Sequence, residues 1–246
     1  MGDEGTIGVA LAAGLGKRMK SDLPKVLHEA GGKPLVAYCV QLMKELGMLR
    51  SIVVLGHKHE LVRAVLPDNV EVALQPEQLG TGHAVMCAAP LFSDFKGTLL
   101  LLYGDVPLLR TETLRRLMSI HAETGAAITV LTTLLDDPSG YGRIVRGADG
   151  LVERIVEHKD ATDEERAIKE INSGIYCFKT PLLLDALKQL KNDNAQGEYY
   201  VTDTVGILRA MGYPIAAVIA EDSDEVLGVN NLDELAYVDK VIRSRE

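Results

Sequence analysis

The chain has 246 residues and a formal net charge of −9 without a basic block, which argues against nucleic acid or an anionic membrane as a partner. Its three cysteines are widely separated, which indicates neither a disulfide framework nor a zinc site and fits a reducing cytoplasm. Since no signal-peptide pattern and no apolar run near the ~20 residues that span a bilayer is present, we expect a soluble protein with a full hydrophobic core.

The first predicted element is a buried strand over residues 6–12, and the loop after it suits an anionic ligand. Its small residues are Ala12, Ala13, Gly14 and Gly16. Backbone N–H groups approach oxygen atoms closely where side chains are this small. Arg18 and Lys25 follow at a spacing that lets each contact a different phosphate, and Pro24 stiffens the approach to Lys25. The stretch therefore predicts a phosphate-binding loop.

Two better-known glycine motifs do not fit this loop. A dinucleotide fingerprint needs a third small residue where the chain has Met19. A P-loop needs Gly-Lys followed by Ser or Thr, whereas Lys33 is followed by Pro34. Two glycines alone would fit an ordinary strand-to-loop connection with surface cations. The combination of small residues, Arg18 and Lys25 after a strand favours phosphate binding instead.

Strands and helices alternate along the first half of the chain. Apolar runs predict strands at 51–55, 70–74, 98–103 and 127–134. Helical spacing predicts helices at 34–46, 60–66 and 84–89, and a further helix that ends at residue 124. This alternation predicts a Rossmann-like α/β fold with a doubly wound, mostly parallel sheet. Ligands of such sheets bind at the carboxyl ends of the strands.

The loop after the third strand, residues 75–83, has two interpretations. Thr81 is a suitable N-cap for the helix over 84–89, which would make the loop a polar turn with a cap. The Gln75 amide offers a donor and an acceptor, as the edge of a uracil requires, and Gly80 would let a ligand ring lie against the backbone. From these residues alone both interpretations stay open, and His83 is expected to be structural.

Asp105 follows the strand over 98–103 and is expected to point into the same cleft as the first loop. An aspartate just past a strand is often only a turn former or a helix cap. Here Thr111 is better placed to cap the helix that ends at residue 124. Magnesium is typically held by one or two protein oxygens together with substrate phosphates. Asp105 is therefore predicted to be a magnesium ligand.

After residue 135 the pattern changes to shorter strands with turn signals. Residues 136–179 predict a smaller β-rich lobe that closes one side of the cleft. Three polar stretches interrupt it, at 141–143, 155–159 and 171–174, and each alone is typical of a turn or a solvated strand face. A charged run at 160–165 predicts a solvated turn that opens a helix. Beyond it we predict helices at 181–190, up to 211 and at 232–242, a strand at 215–219, and Asn231 as a cap.

The small-residue loop followed by Arg18 and then Pro24-Lys25 resembles the nucleotidyltransferases that join a nucleoside triphosphate to a sugar phosphate. Within them the chain is most similar to the uridylyltransferase half of the bifunctional N-acetylglucosamine-1-phosphate uridylyltransferases, from residue 7 to about 241. The stretches that carry this resemblance are SDLPKVLH, EQLGTGHA, YGDVPL, DPSGYGRI, IVEHKDA and INSGI. Lys17 and Ser173 depart from the pattern, because threonine is common at both places.

The resemblance implies a GT-A-like fold and assigns roles to matching residues. It implies that Asp105 and Asn230 bind Mg²⁺ and that Arg18 and Lys25 are catalytic. The residues implied to bind the substrates are Leu11, Ala12, Ala13, Gly14, Gln75, Gly80, Thr81, Tyr103, Gly142, Glu157, Asn172 and Asn230. Among them, Gln75, Gly80 and Thr81 would hold the base, and Gly142, Glu157 and Asn172 the N-acetylglucosamine moiety.

The implied reaction is the transfer of UMP from UTP to N-acetylglucosamine 1-phosphate in the cytoplasm, for cell-wall precursor synthesis. Residues 1–246 would form one domain, with a nucleotide-binding part at 1–135 and the sugar-binding lobe and closing elements at 136–246. Neither nucleic acid nor a membrane is an expected partner. No hexapeptide repeat of an acetyltransferase β-helix is present, so its trimer interface is not expected and the oligomeric state stays open.

Two other functions compete with this reading. A related enzyme could use another sugar phosphate or another base. A non-catalytic nucleotide-sugar sensor would bind the same ligands without turnover. The presence of Arg18, Lys25, Asp105 and Asn230 together argues against a sensor, because a pure binder does not need a complete metal and phosphate set.

Overall fold

The computed structural model describes residues 5–245, which contain eleven strands and eight α-helices. The strands are β1 (Thr6–Ala12), β2 (Glu29–Ala30), β3 (Lys33–Pro34), β4 (Ser51–Leu55), β5 (Glu71–Leu74), β6 (Thr98–Tyr103), β7 (Ile128–Leu134), β8 (Arg143–Arg146), β9 (Val152–Val156), β10 (Glu170–Lys179) and β11 (Ile215–Ile219). The helices are α1 (Leu35–Glu45), α2 (His59–Arg63), α3 (Thr81–Ala88), α4 (Thr111–Thr124), α5 (Asp163–Arg166), α6 (Thr180–Leu187), α7 (Asp203–Ala210) and α8 (Leu232–Arg245). No helix among residues 5–245 is long and apolar enough to cross a membrane.

Nine of these strands form one mixed sheet, and its main path has the order β11-β7-β10-β6-β1-β4-β5. β1 is parallel to both β4 and β6, β4 is parallel to β5, and β11 is parallel to β7. β8 pairs with β10 and with β9 and extends the sheet beyond the main path. This topology confirms the predicted doubly wound, mostly parallel α/β sheet.

β10 is the element that differs most from the sequence-based prediction. It was expected to be one of several short strands of a β-rich lobe, but it has ten residues and lies antiparallel between β6 and β7 in the main sheet. Its pairing with β7 is irregular between Asn172 and Tyr176, where Gly174 has φ +85°. Such a bulge gives a turn signal in the middle of a strand, which explains the wrong prediction.

Helices cover both faces of the sheet. Ile7 and Val9 of β1 belong to a core cluster that also contains buried residues of α3, α6 and α7. Ala10 and Ala12 of the same strand belong to a second cluster, with buried residues of α1, α2 and α4. Because successive side chains of a strand point to opposite faces, this alternation buries β1 on both sides. β1 is thereby packed between three helices on each face of the sheet, and the position of the loop that follows it is fixed.

The C-terminal helix α8 forms a third cluster with the β2–β3 hairpin. Val238 and Ile242 of α8 are buried against Ala30, Leu35 and other apolar side chains, and Asp239 Oδ1 accepts a 2.8 Å hydrogen bond from Gly31 N–H. The N-terminus of α8 is capped by Asn231, as predicted, because Glu234 N–H donates to its Oδ1 at 2.9 Å. This packing holds the segment before α8 in place.

Most predicted boundaries are close to the observed ones, but two predicted caps are wrong. The bounds of β1, β4, β6 and β11 agree with the prediction, and α6 ends three residues before the predicted residue 190. Thr81 and Thr111 are the first residues of α3 and α4 instead of their caps, and their N-cap residues are Gly80 and Arg110. Both hydroxyls have other partners: Thr81 Oγ1 accepts from Val201 N–H and Thr111 Oγ1 donates to Glu45.

Candidate active site

A cavity of about 540 Å³ opens at the carboxyl ends of β1, β5 and β6, where ligands of open α/β sheets bind. Most of the predicted nucleotide and metal residues line it: Leu11, Ala12, Ala13, Gly14, Lys25, Gln75, Gly80, Thr81, Tyr103, Asp105 and Asn230. These residues come from segments that are far apart in the sequence, and the parallel strands bring their loops to one edge. The structure thus places the predicted positions together; their roles stay predictions.

The small-residue loop has the open backbone that the sequence predicts. Gly14 has no other atom within 4 Å of where a Cβ would lie, so its backbone is accessible from the cavity. Gly16 adopts φ +61°, and a Cβ there would come within 2.8 Å of the Lys25 Cβ. Glycine is therefore required at residue 16, because both the conformation and the close approach of Lys25 exclude a side chain.

Lys25 joins the two predicted metal ligands. Its ammonium forms an ion pair with Asp105 Oδ2 and donates a 3.2 Å hydrogen bond to Asn230 Oδ1. The Lys25 and Asp105 side chains are each 14% exposed, so the pair is shielded from bulk solvent. Val229 N–H donates to the Asp105 carbonyl at 2.8 Å, which ties the segment before α8 to the end of β6. Asp105 and Asn230 therefore meet across the cleft, as a shared metal site would require.

The oxygens of Asp105 and Asn230 form a donor set that fits a magnesium ion. A positively charged group, the Lys25 ammonium, already lies against both oxygens, so the position accepts a cation. Among residues 5–245 there is no cluster of three or more His, Cys, Asp or Glu side chains that could hold a metal by itself. Magnesium does not need one, because it usually keeps several waters and binds substrate phosphates.

The other end of the cavity is formed by Gln75 and the start of α3. Gln75 is only 4% exposed, and its Nε2 donates to the Gly80 carbonyl at 3.0 Å and lies 3.1 Å from His83 Nδ1. A Cβ at Gly80 would lie 2.5 Å from the Tyr199 carbonyl oxygen, and Gly80 has φ +106°. The chain itself thus requires glycine there, and the contact of Gly80 with a ligand ring stays a prediction.

The three residues predicted to bind the sugar, Gly142, Glu157 and Asn172, form a separate cluster beside this cavity. Asn172 N–H donates to the Gly142 carbonyl at 2.9 Å, and a Cβ at Gly142 would lie 3.5 Å from Glu157 Oε2. Glu157 Oε1 accepts a 3.0 Å hydrogen bond from the Thr202 hydroxyl. Burial, together with the charges of Asp203 and other nearby carboxylates, raises the pKa of Glu157. The polar stretches at 141–143, 155–159 and 171–174 therefore meet in space.

Tyr103 lies between the ion pair of Lys25 with Asp105 and the sugar cluster, which consists of Gly142, Glu157 and Asn172. A Cβ at Gly174 of β10 would come within 2.8 Å of its ring, so the bulge of β10 makes room for Tyr103. Burial raises the pKa of the Tyr103 hydroxyl, and the charges of Glu157 and Asp105 raise it further. Tyr103 therefore lines the cavity and also contacts the β10 bulge that carries Asn172, so the cavity and the sugar cluster are neighbours.

Arg18 is the predicted catalytic residue that does not line the cavity. It lies in a 3-10 turn, Lys17–Met19, and is exposed. Left-handed backbone at Gly16 and at Lys20, with φ 61° and 50°, brackets this turn. The predicted role of Arg18 requires its side chain to reach a phosphate from the mouth of the cavity.

Sequence reasoning missed several residues of the site. Gln78 and Glu198 line the cavity, and Thr202 orients Glu157. Glu198 and Thr202 belong to the stretch QGEYYVTD at 196–203, in which polar residues flank apolar ones without strand or helix periodicity. That irregular pattern is the signal that could have marked the stretch as part of the site.

Residues 7–231 of the chain match the family model described as Nucleotidyl transferase. The chain belongs to the nucleotidyl transferase family. Among curated relatives, proteins named Bifunctional protein GlmU are 54% identical in Exiguobacterium sibiricum over 237 residues (96% of this chain, 53% of the relative) and 51% identical in Caldanaerobacter subterraneus over 242 residues (98% and 52%). The resemblance drawn from the motifs is thereby confirmed.

This nucleotidyl transferase spans about half the length of the curated relatives that it matches. A solved structure of UDP-glucose pyrophosphorylase complexed with UDP-glucose is similar over 98% of this chain and 99% of that chain, with a TM-score of 0.78 and 16% sequence identity. At that identity the match supports the nucleotidyl transferase fold alone.

Proposed function

We propose that the chain transfers UMP from UTP to N-acetylglucosamine 1-phosphate, which yields UDP-N-acetylglucosamine and pyrophosphate. The observation that carries this proposal is the position of Tyr103 between two polar groups. On one side lie Lys25 and Asp105 of the cavity, and on the other lies the sugar cluster with Glu157. A nucleotide and a sugar phosphate would then meet near Tyr103. The identity to the GlmU proteins supports the same reaction.

The residues of the cavity divide the work of a phosphoryl-group transfer. The phosphate oxygen of the sugar phosphate attacks the α-phosphorus of UTP in line, and pyrophosphate leaves. The N–H groups of the loop around Gly14, with Arg18, stabilise the leaving pyrophosphate, and Lys25 stabilises the charge that develops at the α-phosphate. Asp105 and Asn230 would hold Mg²⁺. When bound, the ion supplies charge neutralisation between nucleotide and sugar phosphate.

The sugar cluster supplies the polar groups that an N-acetylated sugar needs. Hydroxyls and an amide require both donors and acceptors. Asn172 Oδ1 already accepts from Gly174 N–H at 3.0 Å and from the Tyr176 hydroxyl at 2.9 Å. Its Nδ2 is therefore the atom that would donate to the sugar, while Glu157 would accept from a hydroxyl.

We also propose the wider setting that the sequence predicts. Residues 1–246 form one nucleotidyltransferase domain, with the nucleotide part at 1–135 and the sugar-binding and closing elements at 136–246. The chain works in the cytoplasm on precursors of peptidoglycan, with neither nucleic acid nor a membrane as partner. The single continuous sheet that both parts share supports the one-domain proposal.

The test is pyrophosphate release by the purified chain with Mg²⁺, for UTP and N-acetylglucosamine 1-phosphate against a panel of other nucleoside triphosphates and sugar phosphates. We expect the named pair to be turned over fastest. Pyrophosphate release with a different pair would support a nucleotidyl transfer but contradict the proposed substrates. UTP binding without any release, measured by calorimetry with and without Mg²⁺, would favour the nucleotide-sugar sensor.

A further inference from the structure

His83 is a residue of the cavity's neighbourhood that the proposed reaction does not use. It lies in the first turn of α3 and is half-buried. Its Nδ1 is 3.1 Å from Gln75 Nε2, and its Nε2 is 3.7 Å from Cys87 Sγ. Gln75, in turn, is buried and lines the cavity. The three side chains thus form a line that begins at the cavity and ends inside α3.

The partners of Gln75 fix the orientation of its amide. The Gly80 carbonyl can only accept a hydrogen bond, so the amide nitrogen and not the oxygen of Gln75 faces it at 3.0 Å. The second hydrogen of Nε2 is then directed at His83 Nδ1, which must be unprotonated to accept it. Neutral His83 therefore carries its hydrogen on Nε2, on the side of Cys87.

With both hydrogens of Nε2 engaged, only the oxygen of the amide is left for a ligand. No described residue between 5 and 245 donates a hydrogen bond to Gln75 Oε1. Gln75 consequently presents an acceptor to the cavity. An amide free to turn would present either a donor or an acceptor.

We propose that His83 is a positioning residue which locks the Gln75 amide, so that Oε1 selects a base with a ring N–H. This inference rests on the proposed function. The Watson–Crick edge of uracil has a single donor, N3–H, so an acceptor can pair with uracil only there. Cytosine has an unprotonated N3 at the same place, and its lone pair would face Oε1. Locking the amide therefore favours UTP over CTP.

The experiment compares kcat/KM for UTP and CTP in the wild type, His83→Leu and His83→Asn. In His83→Leu one hydrogen of Gln75 loses its acceptor, and we expect the preference for UTP to fall about tenfold, the worth of one hydrogen bond. In His83→Asn the side-chain oxygen can accept in place of Nδ1, and the preference should return close to the wild-type value. Cys87→Ala leaves the contact of His83 Nδ1 with Gln75 intact, so the preference for UTP over CTP should stay unchanged.

A second measurement does not depend on turnover. Nitrogen-15 NMR of the imidazole should show Nδ1 unprotonated and Nε2 protonated in the ligand-free chain. A hydrogen on Nδ1, or an unchanged UTP preference in a folded His83→Leu, would overturn the inference. A wild type that binds UTP and CTP equally would overturn it as well and leave the transferase proposal standing. A chain that binds no UTP would overturn the transferase proposal itself.

Discussion

The carboxylate of Asp105 is paired with a cation of the protein itself. The Lys25 ammonium lies against its carboxylate and against Asn230 Oδ1. If Asp105 and Asn230 bind Mg²⁺, as proposed, the ion and the ammonium compete for the same two oxygens.

Asp105→Asn tests this arrangement at the scale of one residue. The amide keeps the size of the carboxylate and still accepts from Lys25, so we expect the melting temperature to change little. Turnover should fall at least about a hundredfold, because the negative ligand of the metal is lost. Asp136→Asn is the matched control, since Asp136 pairs with Lys169 on the exposed surface. Equal losses of turnover in both variants would contradict the role of Asp105.

Asn172 offers a similarly clean substitution. Asn172→Asp keeps the oxygen that accepts from Gly174 N–H and from Tyr176, so the bulge of β10 should stay folded. The substitution removes the Nδ2 donor and adds a negative charge near Glu157. We expect KM for the sugar phosphate to rise at least about tenfold, with little change in KM for UTP. Steady-state kinetics in each substrate would show this split, and an unchanged sugar KM would remove Asn172 from the sugar site.

His121 is a buried residue of α4 that makes the stability of the fold depend on pH. It is 3% exposed, its Nδ1 lies 2.9 Å from Thr129 Oγ1, and its buried Nε2 has no hydrogen-bond partner in the described part of the chain. Burial, and to a smaller extent the charge of Lys179, lowers the pKa of His121 to about 4 from 6.5. Below pH 6.5 the unfolded chain takes up a proton that the folded chain refuses, so stability is lost as the pH falls toward 4.

We therefore expect His121→Gln to flatten the pH dependence of stability. Urea unfolding of the wild type should give a free energy about 2 kcal/mol lower at pH 5 than at pH 7 from this group alone. That difference should disappear in His121→Gln. His57→Gln, at an exposed position, should keep it. An unaltered pH dependence in His121→Gln would show that the ring is protonated in the folded chain at pH 5.

At the scale of elements, the contact between the β2–β3 hairpin and α8 supports the site from outside. Its cluster includes Leu108 and Val229, which come shortly after Asp105 and directly before Asn230 in the chain. Loosening α8 would therefore move Asp105 and Asn230, the two proposed metal ligands. The helix is thus a structural support of the site without lining the cavity.

Gly31→Ala and Gly32→Ala test this support as a pair. Both glycines have positive φ, 56° and 70°, so alanine is strained by roughly 1–2 kcal/mol at either position. At Gly31 a Cβ would also collide with Ile242 of α8, whereas at Gly32 nothing lies within 4 Å. Gly31→Ala should cost about 1–3 kcal/mol more in the free energy of unfolding. Equal costs by denaturant unfolding would show that α8 moves away freely.

At the scale of the whole molecule, the sequence predicts the elements whose signals are local. β6 and β11 are apolar runs bounded by turn residues, and the prediction reproduced their bounds. β10 was divided by the prediction because Gly174, required by the approach of Tyr103, gives a turn signal inside a strand. That requirement comes from a residue 71 positions away, and no local pattern contains it.

The site, like β10, depends on contacts between residues far apart in the sequence, which local patterns do not predict. Motifs predicted positions such as Gln75 and Asp105, because each loop follows a recognisable strand. The contacts that define the site, such as Thr202 with Glu157 or Lys25 with Asn230, join residues 45 and 205 positions apart. Exposure of Arg18 could not be predicted either, because it depends on the left-handed turn that brackets the residue.

In the proposed reaction the sugar phosphate itself attacks the nucleotide. N-Acetylglucosamine 1-phosphate that carries ³²P, incubated with UTP, Mg²⁺ and the purified chain, tests it most directly. We expect all transferred label to appear in UDP-N-acetylglucosamine and the released pyrophosphate to be unlabelled. Label in pyrophosphate, or UTP consumption that leaves the labelled sugar phosphate unchanged, would contradict it.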